Sequence, residues 1–416
     1  MNIAPPLQAA SCFGDARGGR ASRSHTPRLA IIVSHPIQYY APLYQRLASR
    51  DDVTIKVFFT WHGGDQAVHD VGFGQDVAWD IALTCGYDSE VVPNVASPPG
   101  TGRFNGLQNP DLVARVLAWS PDIVLINGWA WRSHLEAIYR LSQRRIPVLF
   151  RGDSHLLDGE GSGPRRWLKH ALLSRVYARP AACLFTGAAN RAYFEAFGVE
   201  SGRLFRCPHS IDVARFAEPA KIAEEDAAKW RRDLGIGDDQ TVVLFAGKFE
   251  AKKQPLALMD AVRALDDPNV LLVLVGAGEL EPQVRAKAAA QPNRFRVLPF
   301  QNQSRMPAVY RLGDLFALVS SHNETWGLAV NEALASGRPV LVSDRVGCAA
   351  DVVDASCGRI VASNDPAGLK ETLNGMTASL GTLRVMRVPA ARRAWQFDVN
   401  RTESALTECM LKVLAR

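Results

Sequence analysis

The sequence lacks the long apolar runs and the paired cysteines that mark several classes of protein. Its longest apolar stretches, such as NVLLVLVGAG starting at Asn269, fall far short of the roughly 20 residues that a membrane-spanning helix needs. The 7 cysteines are odd in number, and no two stand at C-x-x-C spacing. This argues against a disulfide framework or a zinc site and for a reducing compartment. We therefore expect a cytoplasmic protein.

Other signatures are missing as well. No alternation of basic and aromatic residues suggests nucleic-acid binding, so no nucleic-acid partner is expected. No G-x-G-x-x-G follows the first predicted strand, which disfavours a Rossmann dehydrogenase. Residues 1–27 carry Pro, Gly, Ser and Arg but no continuous apolar segment. For that stretch we expect a disordered leader, or the product of a misplaced start codon, and not a secretory signal.

The composition is that of a globular protein of about two domains. The chain has 416 residues, of which 47% are hydrophobic and 22% charged, and its net charge is +6. This length exceeds one ordinary core, and the mild positive charge suits an anionic ligand or an anionic membrane surface.

Apolar strand patterns alternate with helix patterns along the chain, which is typical of parallel sheets covered on both faces. The predicted strands include RLAIIV, VTIKVFFTW, PDIVLINGW, IPVLFRGDS, AACLFTG, TVVLFAGKF, NVLLVLVGAGEL, FRVLPFQNQ, DLFALVSS, RPVLVSD and GRIVA. The pattern restarts after a charged, irregular stretch. We therefore predict two doubly wound Rossmann-like domains, 28–205 and 206–395, which face each other across a cleft. A C-terminal helix, 396–416, is expected to pack back towards the first domain.

The stretch SSHNETWGLAVNEALASGRPV holds two glutamates, Glu324 and Glu332, with seven residues between them. The strand pattern before it predicts a loop at the carboxyl end of a strand, and a helix that ends at Gly337. The start of such a helix offers free N–H groups to an anion. On spacing alone, a capped helix with acids near its N-terminus is the favoured explanation of the pair.

The two glutamates and their surroundings resemble the E-x7-E motif of the family-4 retaining glycosyltransferases of the GT-B fold. Four further stretches are similar to motifs of that family: FAGKFEAKKQP, LVGAGEL, LPFQNQSRMPAVYRLGDLFALVSS and PHSIDVARF. The resemblance covers nearly all of residues 28–400 and is most specific in the C-terminal half. It implies transfer of a sugar from a nucleotide diphosphate sugar, with retention of the anomeric configuration.

The resemblance also implies a role for each donor-side residue. Lys248 and Lys253 would neutralise the pyrophosphate, together with the backbone of Gly247, Gly327 and Leu328; the adjacent Lys252 would share this role or lie in solvent. Glu332 would bind the ribose hydroxyls. Glu324 would attend the transferred sugar, or only position it. Phe300 and Gln301 would lie at the base. No Asp-x-Asp cluster stands at a predicted strand end, and cations in place of a metal are the family pattern, so no metal and no cofactor are expected.

The N-terminal half departs from the family, which usually has a glycine-rich loop after the first strand. Here SHPIQYYAPL stands instead, so contacts are expected from Ser34, His35 and Gln38. After a later strand we predict that Arg151 and Asp153 face the cleft, with Asp153 contacting an acceptor hydroxyl. A structural ion pair between these two residues is an equal alternative, and His35 is likewise either a site residue or a structural one.

The predicted acceptor is a glycan or a lipid-linked molecule of cell-envelope or exopolysaccharide synthesis. Residues 163–181 form a basic amphipathic segment that either docks on anionic lipid at the inner face of the plasma membrane or packs on the core with a solvated basic face. Two other functions stay open on the same fold. One is a sugar-nucleotide epimerase or a phosphorylase-like enzyme, and the other is a non-catalytic nucleotide-sugar-binding protein.

Overall fold

The computed structural model describes residues 25–63, 68–70, 72–159, 163–218 and 220–416. Most of the predicted leader, residues 1–24, lies outside the described residues. Within the described part of the chain, no helix is long and apolar enough to cross a membrane.

The strands are β1 Arg28–Val33, β2 Thr54–Phe59, β3 Val68–Asp70, β4 Gln75–Val77, β5 Ser89–Val91, β6 Ile123–Asn127, β7 Val148–Arg151, β8 Ala182–Phe185, β9 Leu204–Arg206, β10 Thr241–Ala246, β11 Val270–Val275, β12 Phe295–Leu298, β13 Leu315–Leu318, β14 Val340–Ser343 and β15 Gly358–Val361. The helices are α1 Ala41–Ala48, α2 Leu112–Ala118, α3 Arg132–Gln143, α4 Pro164–Tyr177, α5 Ala188–Ala196, α6 Val213–Ala217, α7 Ala220–Asp233, α8 Pro255–Arg263, α9 Glu281–Ala290, α10 Met306–Leu312, α11 Leu328–Ala335, α12 Ala349–Val352, α13 Pro366–Thr377, α14 Leu380–Ala394 and α15 Val399–Leu414.

Two parallel sheets organise these elements. The first has the order β5-β2-β1-β6-β7-β8-β9 and the second β12-β11-β10-β13-β14-β15. The central strands β10 and β11 are buried at every residue, as expected for Val- and Leu-rich strands covered by helices on both faces. In each sheet, successive strands are added first on one side of the initial strand, β1 or β10, and then on its other side. Doubly wound sheets bind ligands at this point of reversal. The predicted fold is confirmed.

Three features of the first domain were not predicted: the strands β5 and β9, and an antiparallel hairpin formed by β3 and β4. Each of these four strands has only three residues, too few to show a periodicity in the sequence. The hairpin turns out to matter for the cleft.

The last helix, α15, returns to the first sheet. Leu406, Met410 and Val413 lie in the same buried cluster as residues of β1, β2 and α1. Glu403 of this helix accepts from Arg46 at 2.9 Å and from Arg50 at 2.8 Å. The chain therefore crosses between the two domains twice. The packing of α15 on the first domain helps to fix how the two domains are placed.

Candidate active site

A cleft of about 790 Å³ lies between the two domains. It is lined by loops that leave the carboxyl ends of β1, β7, β10, β11 and β13, together with the β3–β4 hairpin and the start of α11. Twelve of the fourteen residues predicted to contact a ligand line it: His35, Gln38, Asp153, Gly247, Lys248, Lys253, Phe300, Gln301, Glu324, Gly327, Leu328 and Glu332. The exceptions are Ser34 and Arg151.

Glu324 and Lys253 form the tightest ion pair of the cleft. The Lys253 ammonium lies 2.5 Å from Glu324 Oε2, and both side chains are largely buried. The hydroxyl of Ser320 donates to the same carboxylate oxygen at 3.0 Å. Lys253 is brought there by a short turn after β10, residues Ala251–Lys253. A cation fixed in this way faces the start of α11 without needing a ligand to order it.

Only one of the two adjacent lysines lines the cleft. The Lys252 ammonium lies 3.4 Å from a Glu250 carboxylate oxygen, and its carbonyl accepts from the backbone of Ser321 at 2.8 Å. The structure thus separates two residues that the sequence leaves equivalent: Lys253 lines the cleft, and Lys252 braces the loop behind it.

Gly327 permits the close approach at the start of α11. Its φ is +92°, in the region that favours glycine. A Cβ added there would lie 2.7 Å from a methyl group of Val346. The backbone of Gly327 and Leu328 borders the cleft, and the first turn of a helix carries N–H groups without intrahelical partners. This end of the helix is therefore suited to an anion.

Glu332 lies in the middle of α11, and its side chain is 14% exposed. Tyr310 donates to its Oε2 at 2.6 Å, and a guanidinium nitrogen of Arg215 lies 3.9 Å from its Oε1. Burial raises the pKa of Glu332, although Arg215 and Tyr310 act in the opposite direction. Arg215 also donates to Gln303 at 2.6 Å. Sequence analysis named neither Tyr310 nor Arg215, although both lie within stretches that resemble family motifs, because nothing in the sequence pairs them with Glu332.

Lys248 contacts the other domain. Its ammonium lies 2.7 Å from Asp70 at the end of β3 and 4.9 Å from the ring centre of Phe73. The Phe73 ring packs edge-on against Phe300 at 4.6 Å between centroids. Gln301 follows Phe300 on the same wall of the cleft. The hairpin residues Asp70 and Phe73 were missed, since their segment carries no strand or motif signal.

On the N-terminal side, His35 contacts its neighbour Ser34 and is partly buried. Its Nδ1 lies 2.9 Å from the hydroxyl of Ser34, and its ring packs edge-on against Trp61 at 5.8 Å. Burial lowers the pKa of His35 to about 4. The His35 ring is therefore neutral near pH 7. Gln38 lies on the same wall of the cleft.

Asp153 joins the two halves of the cleft. The hydroxyl of Thr325, next to Glu324, donates to its carboxylate at 2.8 Å, and the Nε2 of His209 lies 3.6 Å from it. Burial acts to raise the pKa of Asp153, but His209 and Thr325 outweigh it and hold the value at about 2. In the same loop, Asp158 accepts from the backbone of Asn323 at 2.8 Å. The loop after β7 thus supports the loop that carries Glu324.

His209 was missed by sequence analysis. It is buried at 3% exposure and lies among the rings of Tyr39, Tyr40 and Trp326. The sequence does contain a signal for His209. In PHSIDVARF, this histidine stands where the corresponding motif of the resembled family has an asparagine. Burial lowers the pKa of His209, so the ring is neutral and one nitrogen is free to donate to Asp153.

The prediction that Arg151 faces the cleft is wrong. Its side chain is 4% exposed and donates to the carbonyl of Pro208 at 2.9 Å. Its guanidinium lies 5.4 Å from the ring centre of Tyr40. Arg151 is the last residue of β7, and its side chain extends below the cleft towards the segment that joins the domains. Its role is to hold that segment, and it forms no ion pair with Asp153 within 4 Å.

Comparison with known families matches both halves of the chain. The model described as "Glycosyl transferases group 1" matches residues 226–387, and the model described as "Glycosyl transferase 4-like domain" matches residues 84–208. Together they span more than half of the sequence. The chain belongs to the group 1 glycosyltransferases. The C-terminal match contains Lys248, Lys253 and both glutamates, so the family assignment and the geometry of the cleft concern the same residues.

Relatives of this group 1 glycosyltransferase include D-inositol 3-phosphate glycosyltransferases. The Nocardia farcinica protein is 26% identical over 77% of this chain and 77% of its own length. The Geodermatophilus obscurus protein is 29% identical over 79% of each. The Salinispora arenicola protein is 35% identical, but over only 48% of this chain and 47% of its own length.

Solved structures of low identity share the fold. Anabaena HepE in complex with UDP gives a TM-score of 0.69 at 18% identity and covers 93% of this chain and 100% of that chain. WaaG, a glycosyltransferase involved in lipopolysaccharide biosynthesis, gives a TM-score of 0.64 at 16% identity, with 92% and 99% covered. The architecture of this group 1 glycosyltransferase is therefore the GT-B fold.

Proposed function

We propose that this protein is a retaining, metal-independent glycosyltransferase. It moves a hexose from a nucleotide diphosphate sugar to a glycan or a lipid-linked acceptor in cell-envelope or exopolysaccharide synthesis. The observation that carries the proposal is the cluster at the start of α11, where the Lys253–Glu324 pair, at 2.5 Å, borders the helix end at Gly327. A cation beside a helix N-terminus is suited to a diphosphate.

The chemical problem is a diphosphate leaving group that gathers negative charge as the glycosidic bond breaks. Lys253 and Lys248 stabilise this charge as fixed cations, and the N–H groups at Gly327 and Leu328 add to the same effect. Because these groups are in place before the reaction, little reorganisation is needed in the transition state. No resident metal and no cofactor is required for this step.

The two glutamates have different tasks. Glu332 accepts hydrogen bonds from the ribose hydroxyls of the donor, close to the base end defined by Phe300 and Gln301. Glu324 orients Lys253 and contacts the transferred sugar. The acceptor hydroxyl attacks the anomeric carbon from the side of the leaving group, and its proton passes to the departing phosphate oxygen. The configuration is thereby retained without the pair of close carboxylates that retaining hydrolases use.

The acceptor binds on the N-terminal side, where Asp153 and His35 line the cleft. Asp153 is ionised at neutral pH because its pKa is held at about 2, against the effect of burial, by His209 and Thr325. It accepts from an acceptor hydroxyl and so aligns it with the donor. UDP-sugars are the first donors to test, because the similar Anabaena structure was solved with UDP and with UDP-glucose.

The test is a screen of UDP-, GDP- and ADP-sugars by thermal shift, followed by transfer assays with candidate acceptors in the presence of EDTA. We expect stabilisation by one nucleotide class, transfer that EDTA leaves intact, and a product whose anomer, assigned by NMR, matches the donor. Loss of transfer in EDTA with recovery on Mg²⁺, or an inverted anomer, would refute the proposed mechanism. Release of an epimerised nucleotide sugar would favour the epimerase alternative.

We also propose that α4 contacts an anionic membrane. Trp167, Leu168 and Leu172 are exposed at 74%, 64% and 50%, while Leu173 and Tyr177 anchor the helix in the core. Exposed basic residues, Arg166, Lys169 and Arg175, share the helix. Apolar side chains among cations suit the headgroup region of anionic lipid, where a lipid-linked acceptor would be presented.

Sedimentation with vesicles tests the membrane contact. We expect salt-sensitive binding to vesicles that contain anionic lipid and little binding to neutral ones. The double variant Trp167→Ser with Leu168→Ser should lose most of this binding. Val385→Ser removes a residue that is 76% exposed in the other domain and serves as the matched control. Equal sedimentation of all three proteins would refute the contact.

A further inference from the structure

The β3–β4 hairpin of the first domain reaches across the cleft and rests on the second domain. Its turn carbonyl, at Gly72, lies so close to Gly278 that a Cβ on Gly278 would be 3.0 Å from it. Beyond β4, Asn302 donates to the carbonyl of Ala78 at 2.6 Å, and Asp80 accepts from the backbone of Ser304 at 3.0 Å. The hairpin is thus held at both ends against the walls where a donor nucleotide is proposed to bind.

Asp70 places a carboxylate on Lys248, the cation that is proposed to bind the pyrophosphate. Its Oδ1 lies 2.7 Å from Lys248 Nζ, with the side chains 29% and 31% exposed. The same oxygen accepts from the backbone N–H groups of Gly72 at 2.9 Å and Phe73 at 3.1 Å. These bonds orient the carboxylate towards Lys248, so the contact does not depend on a freely rotating side chain.

The Phe73 ring contacts both the same cation and the wall proposed for the base. The Lys248 ammonium lies 4.9 Å from its ring centre, and the Phe300 ring packs edge-on against it at 4.6 Å between centroids. An aromatic group beside Phe300 and an anion on Lys248 are the two features that a nucleoside diphosphate would bring to this wall.

We propose that the hairpin acts as an internal competitor of the donor, with Asp70 occupying Lys248 until the diphosphate replaces it. The proposal rests on the proposed function, because it takes Lys248 to be a diphosphate ligand. Unlike Glu324, which is part of the proposed donor site and stays beside Lys253, Asp70 belongs to a hairpin of the other domain, and its negative charge next to Lys248 would repel a diphosphate bound there. Donor binding therefore requires Asp70 to leave, and the hairpin lowers donor affinity by the strength of the pair it gives up.

Loss of the Asp70 carboxylate should tighten binding of the diphosphate. This is unusual for a residue that lines a binding site. Asp70→Asn removes the negative charge and keeps the size of the side chain. A partly exposed ion pair of this kind corresponds to roughly a fivefold change in an equilibrium constant. Asp70→Asn should therefore bind the diphosphate about fivefold more tightly than the wild type, and the difference should shrink at high salt.

Isothermal titration with UDP and with inorganic pyrophosphate measures this effect. Pyrophosphate reports on Lys248 whatever base the donor carries. The matched control is Asp158→Asn, which removes the charge of another carboxylate between the domains, leaves Lys248 paired and keeps a side-chain oxygen that can accept from the backbone of Asn323, now at 2.8 Å. We expect tighter binding of both probes in Asp70→Asn, unchanged binding in Asp158→Asn, and no effect of Asp70→Asn when Lys248→Ala is already present.

The outcomes separate the two proposals. Equal or weaker binding in Asp70→Asn, while the wild type binds UDP, would overturn the competitor role and leave the proposed function standing. Equal tightening in Asp70→Asn and Asp158→Asn would also overturn it, because general loosening of the domains would then be the cause. Failure of all variants to bind any nucleotide diphosphate or pyrophosphate would refute the proposed function as well. Circular dichroism and the melting temperature establish that each variant is folded.

Discussion

The two halves of the cleft differ in how their side chains are placed. On the C-terminal side, Lys253, Glu324 and Glu332 stand in loops or helix turns directly attached to central strands of one sheet. On the N-terminal side, Asp153, His209 and the hairpin residues depend on contacts between distant segments. On the proposed function, the residues of the donor side are placed by loops of one sheet, whereas Asp153 and His209, on the side proposed for the acceptor, are placed by contacts between distant segments. Variants on the two sides can test this contrast.

The largest effect is expected from Lys253→Ala. This change removes the cation beside Glu324 and should lower the transfer rate by about 10²- to 10³-fold, the usual cost of losing one preorganised group that stabilises developing charge. The measurement is kcat with saturating donor. Lys252→Ala is the matched control, because that lysine pairs with Glu250 behind the loop. Similar losses in both variants would mean that the cleft does not distinguish the two lysines.

Glu332→Gln should weaken donor binding by about 10- to 100-fold, the range for hydrogen bonds to a charged group. The acceptor KM should not change. Burial raises the pKa of Glu332, so in the wild type the affinity for the donor should fall with decreasing pH earlier than for an ordinary glutamate. The donor affinity of Glu332→Gln should not show this fall with decreasing pH. A wild-type profile that is flat to the normal pKa of glutamate would contradict the ribose-binding role.

On the acceptor side, Asp153→Asn should lower kcat/KM for the acceptor by about tenfold, which corresponds to one hydrogen bond to a charged group. The dissociation constant of the donor should stay within twofold. Asp158→Asn changes a neighbouring carboxylate of the same loop and should leave both constants nearly unaltered. If Asp153→Asn weakened donor binding instead, the division of the cleft into a donor side and an acceptor side would be wrong.

The smallest effect concerns stability in acid and falls on the N-terminal domain. Burial lowers the pKa of His35 and of His134 to about 4 from 6.5. Between these values the unfolded chain binds protons that the folded chain does not, so stability is complete above pH 6.5 and decreases as the pH falls towards 4. The melting temperature should therefore drop by several degrees from pH 7.5 to pH 5.

Two histidine variants check the origin of this slope. His134→Gln removes one of the histidines whose pKa burial lowers and should make the dependence of the melting temperature on pH distinctly shallower. His62→Gln changes an exposed histidine and should leave the slope as it is. An equal slope in the wild type and in His134→Gln would assign the acid sensitivity to other groups.

The contrast between the halves also explains which parts of the structure could be predicted. The long buried strands were evident in the sequence, because runs such as VLLVLV need no partner to be recognised, and the E-x7-E motif placed Glu324 in the loop before a helix and Glu332 within that helix. Arg151 was misplaced because a sequence cannot tell on which side of a strand end a side chain emerges. Tyr310 and Arg215, which contact Glu332, lie within motif-like stretches but 22 or more residues away from Glu332 in the chain, so no local spacing pairs them with it.

By itself, the sequence determined the class of fold, the position of the C-terminal site and the family resemblance, since hydrophobic periodicity and short motifs are local properties. The tertiary structure decided which lysine lines the cleft, that Arg151 is buried, that His209 supports Asp153, and that Asp70 pairs with Lys248 across the domains. These facts depend on the distance between segments up to 178 residues apart. Such distances are set by the packing of the two sheets and of α15, and no local pattern of residues contains them.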